Sequence, residues 1–243
     1  SIILPPETEE QDLRRIMSEL EQACDELQIE ILGGHTEVSD AVNRPVITVT
    51  GVGKVARGDL LSTGGMQPGD ELVMTKWAGL EGSAIIAAEK RDVLEQTLPA
   101  HLIDTAESFL KHISVVPEAK IAMQHGVHAM HDVTEGGIFG ALWEMGAASG
   151  VGIVADLDKI PIRQETIELC EVFDINPYLL ISSGCMLIGC ENGNLLVERL
   201  QEAGIPAAVI GRATEGNDRV IRSGEETRFL EPAGSDELYK IYE

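Results

Sequence analysis

Two hydrophobic periodicities alternate along the chain and predict alternating helices and strands. Apolar residues recur every three or four positions between residues 8 and 28, which predicts an amphipathic helix. The β-branched run at 46–53 and the apolar runs at 71–75 and 185–190 predict strands. Further helices are predicted at about 79–90, 100–111, 117–125, 138–148, 163–173 and 194–203, and further short strands at 29–32, 129–131, 151–155, 207–210 and 220–221. This order predicts an α/β or α+β fold.

Glycine and proline residues interrupt the pattern between residues 54 and 69, and we place a domain boundary there. The interpretation gives a small domain at 1–56 and a larger α/β domain at 57–243. A length of 243 residues is compatible with two domains of this kind. The sequence begins with Ser1 rather than Met, so we expect a processed product or part of a longer polypeptide.

The net charge of the chain limits the kinds of molecule that it is expected to bind. The chain has 41 acidic and 18 basic residues, a net charge of −23. Nucleic acid and anionic membrane surfaces are therefore not expected as main partners, because both need clustered Lys and Arg. A nucleotide is still compatible, since backbone N–H groups and a metal ion can hold its phosphates. No apolar run approaches the roughly 18 residues of a membrane span.

The four cysteines do not form a Cys-x-x-Cys motif. Cys185 and Cys190 lie in an apolar run that is typical of a strand, where a buried free thiol is expected. The start of the chain lacks the basic and apolar regions of a signal peptide. Together these features predict a cytoplasmic protein.

The segment Gly33-Gly34-His35-Thr36-Glu37 follows the strand predicted at 29–32. Two glycines allow the backbone to approach a ligand, and successive N–H groups can surround an anion. His35 and Thr36 would add donors for a phosphate. The alternative is a simple turn between two strands, since paired glycines are common in turns.

The segment His131-Asp132-Val133-Thr134-Glu135-Gly136-Gly137 lies between a predicted strand and a predicted helix. A helix N-terminus presents free N–H groups, and an aspartate before it can hold Mg²⁺. The alternative is that Asp132 or Thr134 only caps the helix. The segment matches neither a Walker A loop nor the Gly-x-Gly-x-x-Gly motif.

Two other features have competing interpretations. Lys76 ends the strand predicted at 71–75, so it either faces a phosphate or is solvated, as most lysines are. His125, His128 and His131 have the spacing of a metal site, but they span a helix end, a loop and a strand. Their side chains are therefore expected to diverge.

Taken together, these motifs resemble the aminoimidazole ribonucleotide synthetase, or PurM-like, superfamily, and in particular its selenophosphate synthetases and HypE proteins. The resemblance follows the chain in order. It is carried by Gly33–Thr36, by Gly65–Asp70 with Met74–Lys76, by Asp132–Gly137, by Ser149–Ile153 with Ile160–Ile162, and by Asn176–Tyr178 with Ser183 and Gly184.

The resemblance implies a two-domain fold, with strands of the N-terminal domain joining a barrel across a homodimer. It also implies ATP between the domains, with Mg²⁺ on the phosphates. Transferred residue by residue, Gly33, Gly34 and His35 would contact the nucleotide, and Asp132 would coordinate Mg²⁺. Thr36, Gly136 and Gly137 would bind the nucleotide on less specific matches.

The sequence also departs from the family pattern. Nothing before Ile31 supplies the glycine-rich stretch and paired aspartates of the family's first strands, so the N-terminal domain is expected to be partial. The selenium-handling residue belongs to that same region. The chain ends in Ile241-Tyr242-Glu243 without the reactive cysteine of HypE, so carbamoyl dehydration on a terminal cysteine is not expected.

Three functional hypotheses remain. The first is an ATP- and Mg²⁺-dependent enzyme that transfers a phosphoryl group to, or activates, a small molecule or a peptide end. The second is a non-catalytic binding or assembly module that keeps the fold without the complete ATP site. The third is a maturation factor that docks on a protein partner, for which the net charge favours a basic surface.

Overall fold

The computed structural model describes residues 1–232 and 234–242. The chain divides into two compact units, Ser1–Leu60 and Leu61–Glu243. The division falls close to the boundary predicted between residues 56 and 57, and the assignment of the domains themselves stays a prediction. Each unit is described separately below.

The first unit is a small three-stranded sheet with one long helix. Its elements are β1 (Ile2–Leu4), α1 (Glu10–Leu27), β2 (Thr36–Val38) and β3 (Val46–Ile47). Strand β1 lies in the centre, parallel to β2 and antiparallel to β3. The helix predicted at 8–28 is confirmed. The acidic residues in its first turn interact favourably with the positive end of the helix dipole.

Two strand predictions in this unit are wrong. Residues 29–32 have no regular secondary structure, and the strand β2 begins only at Thr36. Of the run predicted at 46–53, only Val46–Ile47 is a strand. Apolar and β-branched residues favour strands only where a neighbouring strand and a buried face are available. Leu32 and Val52 have neither, and they are 87% and 88% exposed.

The first unit ends with a short 3₁₀ helix, Arg57–Asp59, and the second unit is a larger α/β assembly. Its strands are β4 (Glu71–Thr75), β5 (Ala129–Asp132), β6 (Gly152–Asp156), β7 (Met186–Cys190), β8 (Ala207–Thr214), β9 (Arg219–Ser223) and β10 (Glu226–Phe229). Its α-helices are α2 (Leu80–Glu89), α3 (Arg91–Leu94), α4 (Ala100–Glu107), α5 (Val116–His125), α6 (Gly137–Ser149), α7 (Gln164–Phe173) and α8 (Gly193–Glu202). Further 3₁₀ helices are Ser108–His112, Leu157–Lys159 and Glu237–Tyr242.

The strands of this unit form one mixed sheet in the order β10-β9-β6-β8-β4-β7-β5. Strand β4 lies in the interior of the sheet and is antiparallel to both neighbours, so that Val73 pairs with Ile188 on one side and Val209 on the other. Only β6 and β9 pair in parallel within this sheet of the described chain. The antiparallel pairing of β5 with β7 places the end of β5 beside the start of β7, with Asp132 opposite Met186.

Helices cover both faces of the sheet and form two hydrophobic cores. Leu72 and Met74 of β4 pack with buried residues of α2, α4, α6 and α7, whereas Val73 faces buried residues of α5 and α8. This alternation follows from the period of two along a strand. Strand β4 is therefore buried on both faces, which explains why its sequence is a continuous apolar run.

Most predictions for this unit are confirmed, including the strand at 71–75 and the helices, whose ends differ by only a few residues. Cys185 and Cys190 are buried and free, as expected. The short helix α3 and the edge strand β10 were not predicted, and β8 continues to Thr214, beyond the end predicted at 210. None of the helices in the described residues combines the length and hydrophobicity that crossing a membrane requires.

Candidate functional site

Asp132 is the last residue of β5 and stands at the entrance to the loop that leads into α6. Its side chain is 62% exposed, and its Oδ1 lies 3.8 Å from Nδ1 of His131. Pairing with β7 fixes its backbone, because Asp132 lies opposite Met186 in the ladder. The carboxylate is therefore held on a rigid strand end and remains accessible to a cation.

The alternative that Asp132 or Thr134 caps α6 is wrong. The N-cap residue is Gly136, with a left-handed backbone at φ 78°, and no side chain caps the helix from that position. The side chain of Thr134 is not used, because Gly137 N–H donates instead to the Thr134 carbonyl at 3.1 Å. Asp132 is consequently free for another role.

The C-terminal segment contacts this loop at Gly136. The Gly136 N–H donates to Oδ2 of buried Asp236 at 2.8 Å. The other oxygen of Asp236 accepts from Ile181 N–H at 3.2 Å and Leu238 N–H at 2.9 Å. The helix N-terminus thus binds an anion that the chain itself supplies, in agreement with the partial positive charge there. The sequence offered no signal for Asp236, which lies in a polar tail without hydrophobic periodicity.

The three histidines near this loop have separate partners. His131 Nε2 lies 2.9 Å from Glu144 Oε2, and His128 Nδ1 lies 2.9 Å from the carboxylate of Asp70. His125 Nε2 lies 3.2 Å from a backbone oxygen at residue 192. Over residues 1–232 and 234–242, no three His, Cys, Asp or Glu side chains are grouped as a metal site. Asp132 alone still fits Mg²⁺, which often takes one or two carboxylates and completes its shell with water and phosphate oxygens.

The other predicted nucleotide-binding residues belong to the first unit. Gly33 and Gly34 are exposed, and a Cβ added to either would meet no atom within 4 Å. The His35 ring is exposed, with Nε2 3.4 Å from Glu37 Oε2, while its carbonyl accepts from Ile2 N–H at 2.8 Å. Thr36 begins β2. The segment 33–36 is therefore exposed to solvent, and the hydrogen bond from Ile2 N–H to the His35 carbonyl attaches it to β1.

Both interpretations of Lys76 from the sequence, that it faces a phosphate or that it is solvated, are wrong. It neither faces a phosphate nor lies in solvent, because its side chain is buried and Nζ contacts Glu118 Oε1 at 2.6 Å. Sequence analysis could not find this partner, which lies in the first turn of α5. Lys76 is a structural residue of the second unit.

The structure thus brings Asp132, Gly136 and Gly137 together around one strand-to-helix loop of the second unit. Gly33, Gly34, His35 and Thr36 form a continuous segment of the first unit. The chemistry available at the second-unit loop is that of an exposed carboxylate, Asp132, which suits a divalent cation, beside a helix N-terminus whose Gly136 N–H is already bonded to Asp236.

Comparisons with known proteins agree with this architecture. The chain is 29% identical over 225 residues to a hydrogenase expression/formation protein of Methanocaldococcus jannaschii, which covers 91% of the chain and 65% of that protein. It is 32% identical over 187 residues to carbamoyl dehydratase HypE of Cupriavidus necator, covering 74% and 49%. A HypE crystal structure with ATP superimposes with a TM-score of 0.74 at 18% identity, covering 98% and 73%.

The chain therefore spans less than two thirds of the length of these two relatives. Family models give the broader assignment. Residues 1–55 match the N-terminal domain of AIR synthase related proteins, and residues 67–223 match the C-terminal domain. With both matches in the order that the two compact units have along the chain, the protein belongs to the AIR synthase related protein family.

Proposed function

We propose that this chain belongs to an ATP- and Mg²⁺-dependent enzyme that transfers a phosphoryl group to, or activates through ATP, a small molecule or a peptide end. The observation that carries the proposal is Asp132, an exposed carboxylate at the end of β5, where the loop that leads into α6 begins. Membership of the AIR synthase related family supports it, as does the fold similarity to a HypE protein solved with ATP.

Each residue in the proposal has a defined task. Asp132 supplies a carboxylate oxygen to Mg²⁺. Gly33, Gly34, His35 and Thr36 offer backbone and side-chain donors to the nucleotide, and Gly136 and Gly137 lie where a helix N-terminus favours negative charge. When bound, Mg²⁺-ATP supplies the phosphoryl group, and the metal offsets the charge that develops during transfer. The chain's contribution is positioning and electrostatic stabilisation.

A homodimer is the second part of the proposal. In the first unit a series of apolar side chains is exposed between residues 29 and 60, including Leu32, Val49 and Val52 at 75–88% exposure. Exposed apolar surface of this extent is typical of an interaction face. Sedimentation velocity of the purified chain is expected to give a dimer mass, and a monomer at all concentrations would contradict this part.

The decisive experiment is calorimetric titration of Mg²⁺-ATP into the purified protein and into the Asp132→Asn variant. Wild-type protein is expected to bind saturably, and the variant at least about tenfold more weakly, because an amide replaces the charged ligand of the metal. ATP without Mg²⁺ should distinguish the two proteins far less, since Asp132 acts through the metal.

Asp156→Asn is the matched control. Asp156 also ends a strand of the same sheet, and its carboxylate lies 2.7 Å from Lys159 Nζ in an exposed ion pair. It should bind Mg²⁺-ATP like the wild type. Equal binding by Asp132→Asn and wild type would refute the role of Asp132. Absence of binding by wild type would favour the non-catalytic assembly module.

A further inference from the structure

A cavity of about 300 Å³ opens in the second unit beside the first turn of α6. Five segments contribute to its wall, and two of them, β9 and β10, are the paired strands of one hairpin. The main lining residues are Phe139 of α6, Leu157, Tyr178, Ile221 and Ser223 of β9, and Arg228 of β10. A pocket assembled from so many segments, apolar within and polar at the rim, has the construction of a ligand site.

Two aromatic rings form one wall of the cavity. The rings of Phe139 and Tyr178 are stacked, with centroids 5.3 Å apart and planes inclined by 11°. Phe139 N–H donates to the Tyr178 carbonyl at 3.2 Å, and Tyr178 N–H donates to Asn176 Oδ1 at 3.0 Å. These two hydrogen bonds fix the backbone from which both rings project, which lowers the cost of ordering the rings around a ligand.

The polar groups of the cavity have unused hydrogen-bonding capacity. Across the part of the chain that the structure describes, the hydroxyls of Tyr178 and Ser223 make no hydrogen bond. Burial, and then the nearby charge of Asp158, raise the pKa of Tyr178, so its phenol stays protonated and can donate. At the rim, Arg228 Nη2 lies 2.9 Å from Glu226 Oε2. This pair presents a donor and an acceptor side by side.

We propose that this cavity binds a planar heteroaromatic ring of the second substrate, with the ring against the Phe139–Tyr178 pair and its polar edge toward Ser223, Glu226 and Arg228. The proposal rests on the proposed function only in naming the ring-bearing molecule a second substrate. Ligand pockets range over roughly 300–1,000 Å³, so this one holds a single or fused ring rather than a whole nucleoside triphosphate. Stacking supplies affinity, and the rim pair selects a ring edge with both a donor and an acceptor.

The test is saturation-transfer difference NMR on the full chain with adenine, cytosine and nicotinamide as probes. Cyclohexanecarboxamide is the matched probe that keeps the amide of nicotinamide but lacks an aromatic face. At least one aromatic probe is expected to bind, with a Kd of about 1 mM for a fragment of this size. The saturated probe is expected to give no saturable signal.

Two variants locate the binding. Ser223→Phe fills the cavity from an exposed position of β9 and should abolish binding without unfolding the protein. Thr227→Phe adds the same ring at an exposed position of β10 that lines no part of the cavity, and it should bind like the wild type. Tyr178→Ala should weaken binding at least about fivefold through lost stacking, whereas Tyr178→Phe should retain most of it.

Several results would overturn the proposal. Failure of all three aromatic probes to bind, equal binding of the saturated probe, or unchanged binding by Ser223→Phe would each contradict a ring site in this cavity. Displacement of the bound ring by Mg²⁺-ATP would contradict its assignment to a second substrate. A protein that binds the ring but not Mg²⁺-ATP would leave the cavity as a ring site and refute the proposed function.

Discussion

Lys76 and Glu118 form a buried ion pair, with 2.6 Å between Nζ and Oε1 and side chains only 8% and 1% exposed. The ammonium also donates to the carbonyls of His112, Ser114 and Gly184 at 2.7, 2.7 and 2.9 Å. A single lysine thus joins the end of β4, the start of α5 and the segment before β7. Because these contacts join separate segments of the second unit, Lys76 stabilises the packing of that unit.

Replacing Lys76 is expected to be strongly destabilising. Lys76→Met leaves the Glu118 carboxylate buried without its counter-ion, which should lower the free energy of unfolding by about 3–5 kcal/mol. The measurement is urea unfolding followed by circular dichroism. The double variant Lys76→Met/Glu118→Leu should recover much of the loss, because it removes the unpaired charge as well.

Lys159→Met is the control for this experiment. Lys159 lies 2.7 Å from Asp156 in an exposed ion pair, so its loss should cost less than about 1 kcal/mol. If the double variant were less stable than Lys76→Met, the two charges would not be energetically coupled as the distance indicates.

Gly137 and Gly150 allow packing to be separated from backbone strain. Both have a left-handed backbone, with φ of 57° and 66°. A Cβ on Gly137 would lie 2.5 Å from the Tyr178 carbonyl oxygen and 2.8 Å from that of Leu180, whereas one on Gly150 would meet nothing within 4 Å. Gly150→Ala should therefore cost only the strain of about 1 kcal/mol, and Gly137→Ala distinctly more. Thermal unfolding of both variants checks the difference, and equal losses would show that strain alone decides.

Local sequence information was sufficient to predict an element where its hydrophobic pattern alone determines the secondary structure. The run Glu71–Thr75 is apolar because β4 is buried on both faces, and its limits are those predicted. It was insufficient where pairing decides, since Ile29 and Leu32 have the composition of a strand but no partner. Likewise β8 extends to Thr214 because β6 pairs with its second half.

In the candidate site, too, some features were predictable from local sequence and others depend on tertiary contacts. The position of Asp132 at a strand end followed from the motif around it, whereas the buried state of Lys76 depends on carbonyls 36 to 108 positions away in sequence. Asn176 and Tyr178 were noted as part of a motif, but their cavity also needs β9 and β10. Contacts of this kind require the tertiary structure.

The contact between Asp236 and Gly136 predicts opposite effects on stability and binding. Asp236→Ala leaves three backbone N–H groups without their acceptor, at Gly136, Ile181 and Leu238. The free energy of unfolding should fall by about 1–3 kcal/mol. Since the Gly136 N–H then becomes available to an anion, affinity for Mg²⁺-ATP should rise. Urea unfolding and calorimetry on the same preparation check both, and unchanged affinity would show that Gly136 does not contact the nucleotide.

Buried thiols predict a loss of stability in alkaline solution. Burial raises the pKa of Cys185 from its ordinary value of 9.0 to about 12. The unfolded chain therefore releases this proton first as the pH rises. The stabilisation is complete below about pH 9 and is lost progressively between pH 9 and 12, by at most about 1.4 kcal/mol per pH unit for each such thiol.

Cys185→Ala isolates this contribution from the other groups that titrate in alkaline solution. Between pH 9 and 10.5 the free energy of unfolding of the variant should fall less steeply than that of the wild type, by up to about 1.4 kcal/mol per pH unit. Between pH 6 and 8 the thiol is protonated in both states, so the two proteins should follow parallel curves separated by the cost of the substitution. Parallel curves over the whole range would mean that the Cys185 thiol has the same pKa in the folded and unfolded chains, in conflict with its complete burial.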